Sequence, residues 1–237
     1  MAAVYLIRHG QASFGTHHYD ALSPLGQQQA EQLGAWLRTC AIEPARWYSG
    51  SMQRQQQTAQ HTCAALELAD ASLHTDARLN EFDYLDVLSA HIPNCTSDAA
   101  LLDFLRQQMG DPRRVFQRIF SEAVVHWVAH THKIDGTAYR ETWREFQQRA
   151  QAALADAVEF ACNDNASVML FTSGGVISAM VQNLLGISDE RIFDLNSILL
   201  NTGITRLRVG QKRVWVDYLN ACPHLEWQRQ ANLQTHR

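Results

Sequence analysis

The chain has no CxxC pair, no basic run, no internal repeat and no apolar stretch of membrane-spanning length. Its five cysteines, Cys40, Cys63, Cys95, Cys162 and Cys222, are scattered and odd in number. That pattern argues against a disulfide framework and reads as reduced thiols in a cytoplasmic protein. The opening run MAAVYLIRHG is too short in its apolar part, and wrongly flanked, for a signal peptide. With a net charge of -4 there is no global basic field, so neither nucleic acid nor a membrane surface is an expected partner. No tract has the composition of a disordered segment.

What is present suits a soluble globular protein. The chain has 237 residues, 46% hydrophobic and 19% charged, enough to bury a sizeable core in one large domain or in one domain with an inserted cap. Val4 to Ile7 reads as a buried parallel strand ending at Arg8-His9-Gly10. A polar loop leads to Ser23-Pro24, an N-cap followed by proline at the first helical position. The helix then runs to about Arg38, with Ala30, Leu33 and Leu37 as its apolar stripe. A strand within ARWYSGS (45–51), a glutamine-rich helix from about Met52 to Leu68 and an edge strand within SLHTDARL (72–79) follow.

Residues from about 86 to 140 break this alternation with NCTSD, MGDPRR and HKIDGT punctuation, and read as a mostly helical insertion. A long helix is expected over Glu141 to Cys162, with Trp143, Phe146, Ala150, Leu154, Ala157 and Phe160 on its buried side. VMLFTSGGVISAM (168–180) has the form of strand, glycine turn and helix, and GITRLRV and RVWVDYL supply two closing strands. Alternating strands and helices predict a three-layer α/β/α fold with a mostly parallel central sheet and a helical cap insertion.

In such a sheet ligands bind at the carboxyl ends of strands. Two ends carry conspicuous residues, Arg8-His9-Gly10 and Thr172-Ser173-Gly174-Gly175. An imidazole can act as a nucleophile, a guanidinium holds phosphoryl oxygens bidentately, and glycine lets the backbone come close. SGSMQRQQQTAQ (49–60) puts Arg54 at the start of the helix after the second strand, and RLNEFDYLD (78–86) puts Glu81 just after the third. Two arginines, a histidine, a carboxyl group and a glycine-rich helix N-terminus make a consistent phosphate-ester site.

These segments, LIRHGQAS, SGSMQRQQQTA, NEFD and VMLFTSGGVI, with LNTGITRL continuing, resemble in order the motifs of the histidine phosphatase superfamily, the phosphoglycerate mutase-like family. The resemblance implies that His9 is the nucleophile that becomes phosphorylated and that Glu81 protonates the leaving oxygen. It implies that Arg8 and Arg54 bind the transferring group, with Gly10, Gln11, Ser173 and Gly174 completing the phosphate-binding shell. The implied activity is hydrolysis of a small-molecule phosphate monoester through a phosphohistidine, which calls for neither metal nor cofactor.

Two departures stand out. Ser173 occupies the position where the family usually has a second phosphate-binding histidine, and Gly15 stands where many members have asparagine. Ser173 therefore motivates an alternative, a weak or inactive phosphate-ligand binding or regulatory protein on the same fold. A phosphomutase, sharing the first chemical half, is a further one. A serine nucleophile is disfavoured, because Thr-Ser-Gly-Gly lacks the Gly-x-Ser-x-Gly elbow. His126 and His130 have metal-capable spacing, but without the His-Glu-x-x-His arrangement a solvated helix is expected. His17 or His18 is a further candidate for entering the pocket. No signal specifies an oligomeric state.

Overall fold

A computed structural model describes residues 2–13, 20–68, 72–227 and 231–236. In chain order the elements are β1 (Ala3–Arg8), α1 (Pro24–Thr39), β2 (Arg46–Ser49), α2 (Gln53–Ala65), β3 (Leu73–Thr75), α3 (Tyr84–Leu88), α4 (Asp98–Gln107) and α5 (Pro112–Ala129). They continue with α6 (Trp143–Asn163), β4 (Ser167–Thr172), α7 (Gly174–Leu185), α8 (Ile192–Ile198), β5 (Ile204–Val209), β6 (Val214–Ala221) and α9 (Pro223–Glu226). The chain divides into two compact units, Met1–Glu81 with Arg149–Arg237, and Phe82–Gln148.

The first unit holds a six-stranded sheet in the order β3-β2-β4-β1-β5-β6. β1, β2, β3 and β4 run parallel, β5 runs antiparallel to β1, and β6 runs antiparallel to β5. Strand periodicity sorts the core. Ala3, Tyr5, Ile7, Trp47, Met169, Phe171 and Ile204 meet Leu33 and Leu37 of α1 and Ala59 of α2 in one buried cluster. The intervening Val4, Leu6, Val168 and Leu170 are buried on the opposite face, and α7 packs against β1. Nine consecutive residues of α7, Gly174 to Gln182, are buried, which suits a helix apolar on nearly all sides. This is a three-layer α/β/α arrangement with a mostly parallel sheet.

Local chemistry sets the element ends. Ser23 caps α1, its Oγ accepting from the Gly26 amide (3.0 Å), and Pro24 occupies the first helical position. β3 stops at Thr75 because Asp76 accepts from the Arg78 amide (2.9 Å) and starts a single 3₁₀ turn, so the strand is shorter than the sequence suggests. The glutamine-rich helix likewise spans Gln53–Ala65 rather than reaching Leu68, and α6 starts at Trp143, not Glu141. Phe160, expected on the buried side of α6, is only half-buried. The Arg46 guanidinium lies 3.8 Å over its ring, so the ring is covered by a cation rather than by core.

Within the second unit, Phe82, Trp127, Trp143 and Phe146 form an aromatic core, with Phe82–Trp127 centroids 4.8 Å apart and Trp127–Trp143 centroids 5.4 Å apart. The buried Asp86 carboxylate accepts from Lys133 Nζ (2.6 Å) and from the Arg140 amide (2.8 Å). His126 and His130 stack at 4.2 Å, and among the described residues no group of three His, Cys, Asp or Glu side chains is placed to hold a metal. Among the described residues no helix is long and apolar enough to cross a membrane.

Candidate active site

The site residues converge because β1, β4 and β2 are adjacent and parallel. Arg8 pairs with Thr172 and Ser49 with Phe171, so the chain leaves all three strands at one edge of the sheet. The His9 amide donates to Thr172 O (2.9 Å), and the Gly50 amide donates to Phe171 O (3.2 Å). Behind His9 the turn after α8 closes in. Asn201 Nδ2 donates to His9 O (3.0 Å), and the Thr202 amide donates to Arg8 O (3.0 Å). Gly10 lies so close to Gly26 of α1 that a Cβ on Gly10 would sit 2.5 Å from the Gly26 carbonyl oxygen. Glycine at both positions is what lets the loop after β1 lie on the first turn of α1.

The His9 ring is fixed by both nitrogens. Nδ1 faces Gly10 O at 2.8 Å, so the proton belongs on Nδ1 and the ring donates to that carbonyl. Nε2 is then the acceptor, and Arg54 Nε donates to it at 3.1 Å. His9 is 8% exposed. Burial first, then the charges of Arg54 and Arg8, hold its pKa well below that of an ordinary histidine, against a smaller upward pull from the Gly10 carbonyl. The outcome is a neutral imidazole whose nucleophilic lone pair points at a guanidinium.

Arg54 is held on three sides: by His9, by Asp20 Oδ1 (2.5 Å from Nη1) and by Met52 Sδ (3.2 Å from Nη2). The other Asp20 oxygen accepts from the Gln53 amide (2.7 Å), at the first residue of α2. Arg8 Nη1 donates to Leu199 O. That carbonyl belongs to a turn pinned by Asn220, which takes the Leu200 amide (2.7 Å) and donates to Ile198 O (2.8 Å).

Other expected site residues have different neighbours. The Gly10 amide donates to Thr58 Oγ1 (3.0 Å), and Gln11 Oε1 accepts from Ser23 Oγ (2.9 Å), so both take part in holding the loop. Glu81 Oε2 accepts from the Gly175 amide (3.0 Å), which places a carboxylate at the N-terminus of α7. Ser173 occupies the N-cap position of α7, but its side chain makes no capping bond. Its Oγ accepts from Gln55 Nε2 at 2.8 Å. Gly174 lies beside Arg8, 3.5 Å separating Arg8 Nε from where a Gly174 Cβ would stand. His17, His18 and Gly15 lie outside the described residues.

Sequence reasoning overlooked Asp20, Gln55, Thr58, Asn201 and Thr202. Thr58 follows Arg54 by four positions, a spacing that puts both on one face of α2, so Thr58 was within reach of that argument. Asn201 and Thr202 act from a turn, where side-chain periodicity carries no signal.

A second buried histidine backs the site. Thr202 Oγ1 donates to Asn201 O (2.7 Å) and so accepts from His224 Nε2 (2.9 Å). Burial lowers the His224 pKa to about 3, and His9 is depressed as well. An unfolded chain takes up these two protons below about pH 6.5 while the folded one does not. Stability is therefore full above that pH and falls as pH drops toward the folded values, by about 1.4 kcal/mol per pH unit for each histidine. His224→Gln removes one such group, and thermal melting between pH 7 and 5 should show a shallower pH dependence than in the wild type.

Fold and site together define an α/β protein with a buried histidine set against two arginines at the carboxyl edge of its sheet. The chain belongs to the histidine phosphatase superfamily (branch 1), whose sequence profile matches residues 4–111 and 106–221. It is 24% identical over 210 residues to a 2,3-bisphosphoglycerate-dependent phosphoglycerate mutase from Bartonella quintana, covering 84% of this chain and 87% of that protein. Solved structures share the fold. A phosphoglycerate mutase from Bacillus anthracis has a TM-score of 0.64 at 20% identity over 97% of both chains. A mutant phosphoserine phosphatase from Entamoeba histolytica, in complex with phosphoserine, has a TM-score of 0.63 at 17% identity, covering 95% of this chain and 100% of that one. A mycobacterial glucosyl-3-phosphoglycerate phosphatase gives 0.59 at 20% identity, over 93% and 100%.

Proposed function

We propose that this protein is a cytoplasmic phosphatase that hydrolyses small phosphate monoesters through a phosphohistidine at His9. The observation that carries the proposal is the His9 ring itself. It is buried, held by Gly10 O in the tautomer that leaves Nε2 unprotonated, and Nε2 faces the Arg54 guanidinium. For attack, the Arg54 donor passes from Nε2 to a phosphoryl oxygen, which frees the lone pair and, with Arg8, offsets the charge of the dianion. His9 Nε2 then forms the P–N bond as the P–O bond to the leaving group breaks, and Glu81 gives that oxygen its proton. In the second half water attacks phosphorus, Glu81 takes the water proton, and the P–N bond breaks to release inorganic phosphate and regenerate neutral His9.

A screen of metabolite phosphates alongside an aryl phosphate, read as released inorganic phosphate, tests the reading. Saturable binding with no turnover across the panel would reject it in favour of a binding or regulatory protein. The role given to Glu81 makes a sharper demand. Glu81→Gln keeps an acceptor for the Gly175 amide but removes the proton. Hydrolysis of alkyl phosphates should fall by about 10²–10³-fold, and that of a nitrophenyl phosphate, whose leaving group needs no proton, far less. Equal losses on both would remove Glu81 from the acid role. The resemblance to a phosphoglycerate mutase supports a second reading, in which another hydroxyl takes the phosphoryl group in place of water. A transferred rather than released phosphate in the same screen would favour it.

A further inference from the structure

Ser173 stands where the sequence resemblance expects a phosphate-binding histidine, yet its environment is not that of a gap. The residue is fully buried, and so is Gln55 of α2. The two amide protons of Gln55 Nε2 are both committed, one to Leu79 O (3.0 Å) and one to Ser173 Oγ (2.8 Å). The Leu79 carbonyl can only accept, so that bond fixes the Nε2 end of the amide toward Leu79 and Ser173, and Gln55 Oε1 is left buried without a partner. Gln55 therefore has no proton left for a ligand. Ser173 is the opposite case: its oxygen receives the Gln55 proton, its side chain makes no cap bond to α7, and its own hydroxyl proton remains to be donated. A hydroxyl that accepts a hydrogen bond is polarised into a better donor.

We propose that Gln55 is the positioning residue of this site: its amide holds Ser173 so that the Ser173 hydroxyl is the donor to a phosphoryl oxygen, and the two residues together replace a histidine. This rests on the phosphatase reading of the site. It also implies that the pocket is built around serine. An imidazole at 173 would have to occupy space in which the Gln55 amide stands 2.8 Å from the serine oxygen.

A double-mutant cycle tests the pair. Gln55→Met keeps length and apolar bulk but loses both donors, and Leu79 O keeps Thr172 Oγ1 as its donor at 2.6 Å. Ser173→Ala should lower kcat by about 10²-fold, as for loss of one transition-state donor. Gln55→Met should lower kcat by about tenfold with Ser173 present, and by less than about twofold in the Ser173→Ala background. A merely structural role for Gln55 would give the same loss in both backgrounds, and that result would overturn the proposal. Ser173→His alone should lower the rate, and Gln55→Ala added to it should recover at least part of the loss. A gain from Ser173→His alone also overturns it. Gln55→Leu serves if the methionine variant does not fold, as judged by thermal melting. If the wild type hydrolyses nothing, the phosphatase reading fails, and the same four proteins are compared by orthovanadate affinity. Weaker binding by Gln55→Met only when Ser173 is present then supports the pair, and equal weakening in both backgrounds rejects it.

Discussion

Replacing His9 with alanine should lower turnover of an aryl phosphate by about 10⁴-fold or more, to the level of a protein without a nucleophile. The expectation is specific to the side chain, because the backbone of this segment has its own supports. The His9 amide donates to Thr172 O, and His9 O accepts from Asn201 Nδ2 and from the Thr202 amide, none of which involves the imidazole. The ring's own hydrogen bonds run to Gly10 O and from Arg54 Nε, and these are what the variant loses. The fold should therefore persist while the chemistry stops. Rapid quenching of the wild type with labelled substrate should trap phosphorus on the protein in an acid-labile, base-stable form, as a phosphoramidate requires. The alanine variant should trap none. Hydrolysis by the pure variant at more than about a hundredth of the wild-type rate would sink the mechanism, since water attacking directly gains nothing from the imidazole.

The frame of the sheet was legible from the chain because each strand–turn–helix unit is written locally. The apolar run of β1, Ser23-Pro24 and the Thr172-Ser173-Gly174-Gly175 turn each specify their own geometry, and parallel order follows from strands that alternate with helices. His9 and Arg54 were legible for the same reason: both lie at the ends of strands or the starts of helices, where a parallel sheet gathers its ligand groups. What escaped is everything decided by contact between distant segments. That Gln55 reaches Ser173, 118 positions later, depends on α2 packing against β4, whose end leads into Ser173, and helix periodicity shows only that Gln55 lies on a buried face. The grip of Asp20 on Arg54 depends on a loop, where no period exists to read. The half-buried Phe160 was misplaced because the apolar stripe of α6 continues past the point where Arg46 replaces core as its cover. Burial could be inferred from pattern; partnership could not.

Arg54→Met should act on both the rate and its pH dependence, and the two effects have separate causes. The rate should fall by about 10²–10³-fold, because a guanidinium that meets the developing phosphoryl charge in a buried site is replaced by an apolar chain of similar length. Asp20 then keeps the Gln53 amide but loses its cation, so its charge faces the incoming dianion without Arg54 between them, and KM should rise as well. Stability should change little from this pair, because the Asp20 side chain is 41% exposed and water solvates the freed carboxylate. The pH effect arises at His9. Its pKa is depressed first by burial, next by Arg54 and then by Arg8, so the wild-type ring stays neutral and nucleophilic well below pH 6.5. Removing Arg54 leaves burial and Arg8 in place but takes away the second-largest cause, and the His9 pKa must rise. A protonated imidazole cannot attack phosphorus, so the acid limb of kcat/KM should move to higher pH in the variant, toward the value of an ordinary histidine. Arg54→Lys should return part of the limb toward the wild-type position, since a cation near Nε2 is restored, while recovering little of the rate, since an ammonium cannot bridge two phosphoryl oxygens as a guanidinium does. Measured pH–rate profiles of the three proteins separate the two causes. A limb that stays in place when Arg54 is removed would mean that the arginine does not act on His9, and the catalytic assignment of the pair would fall with it.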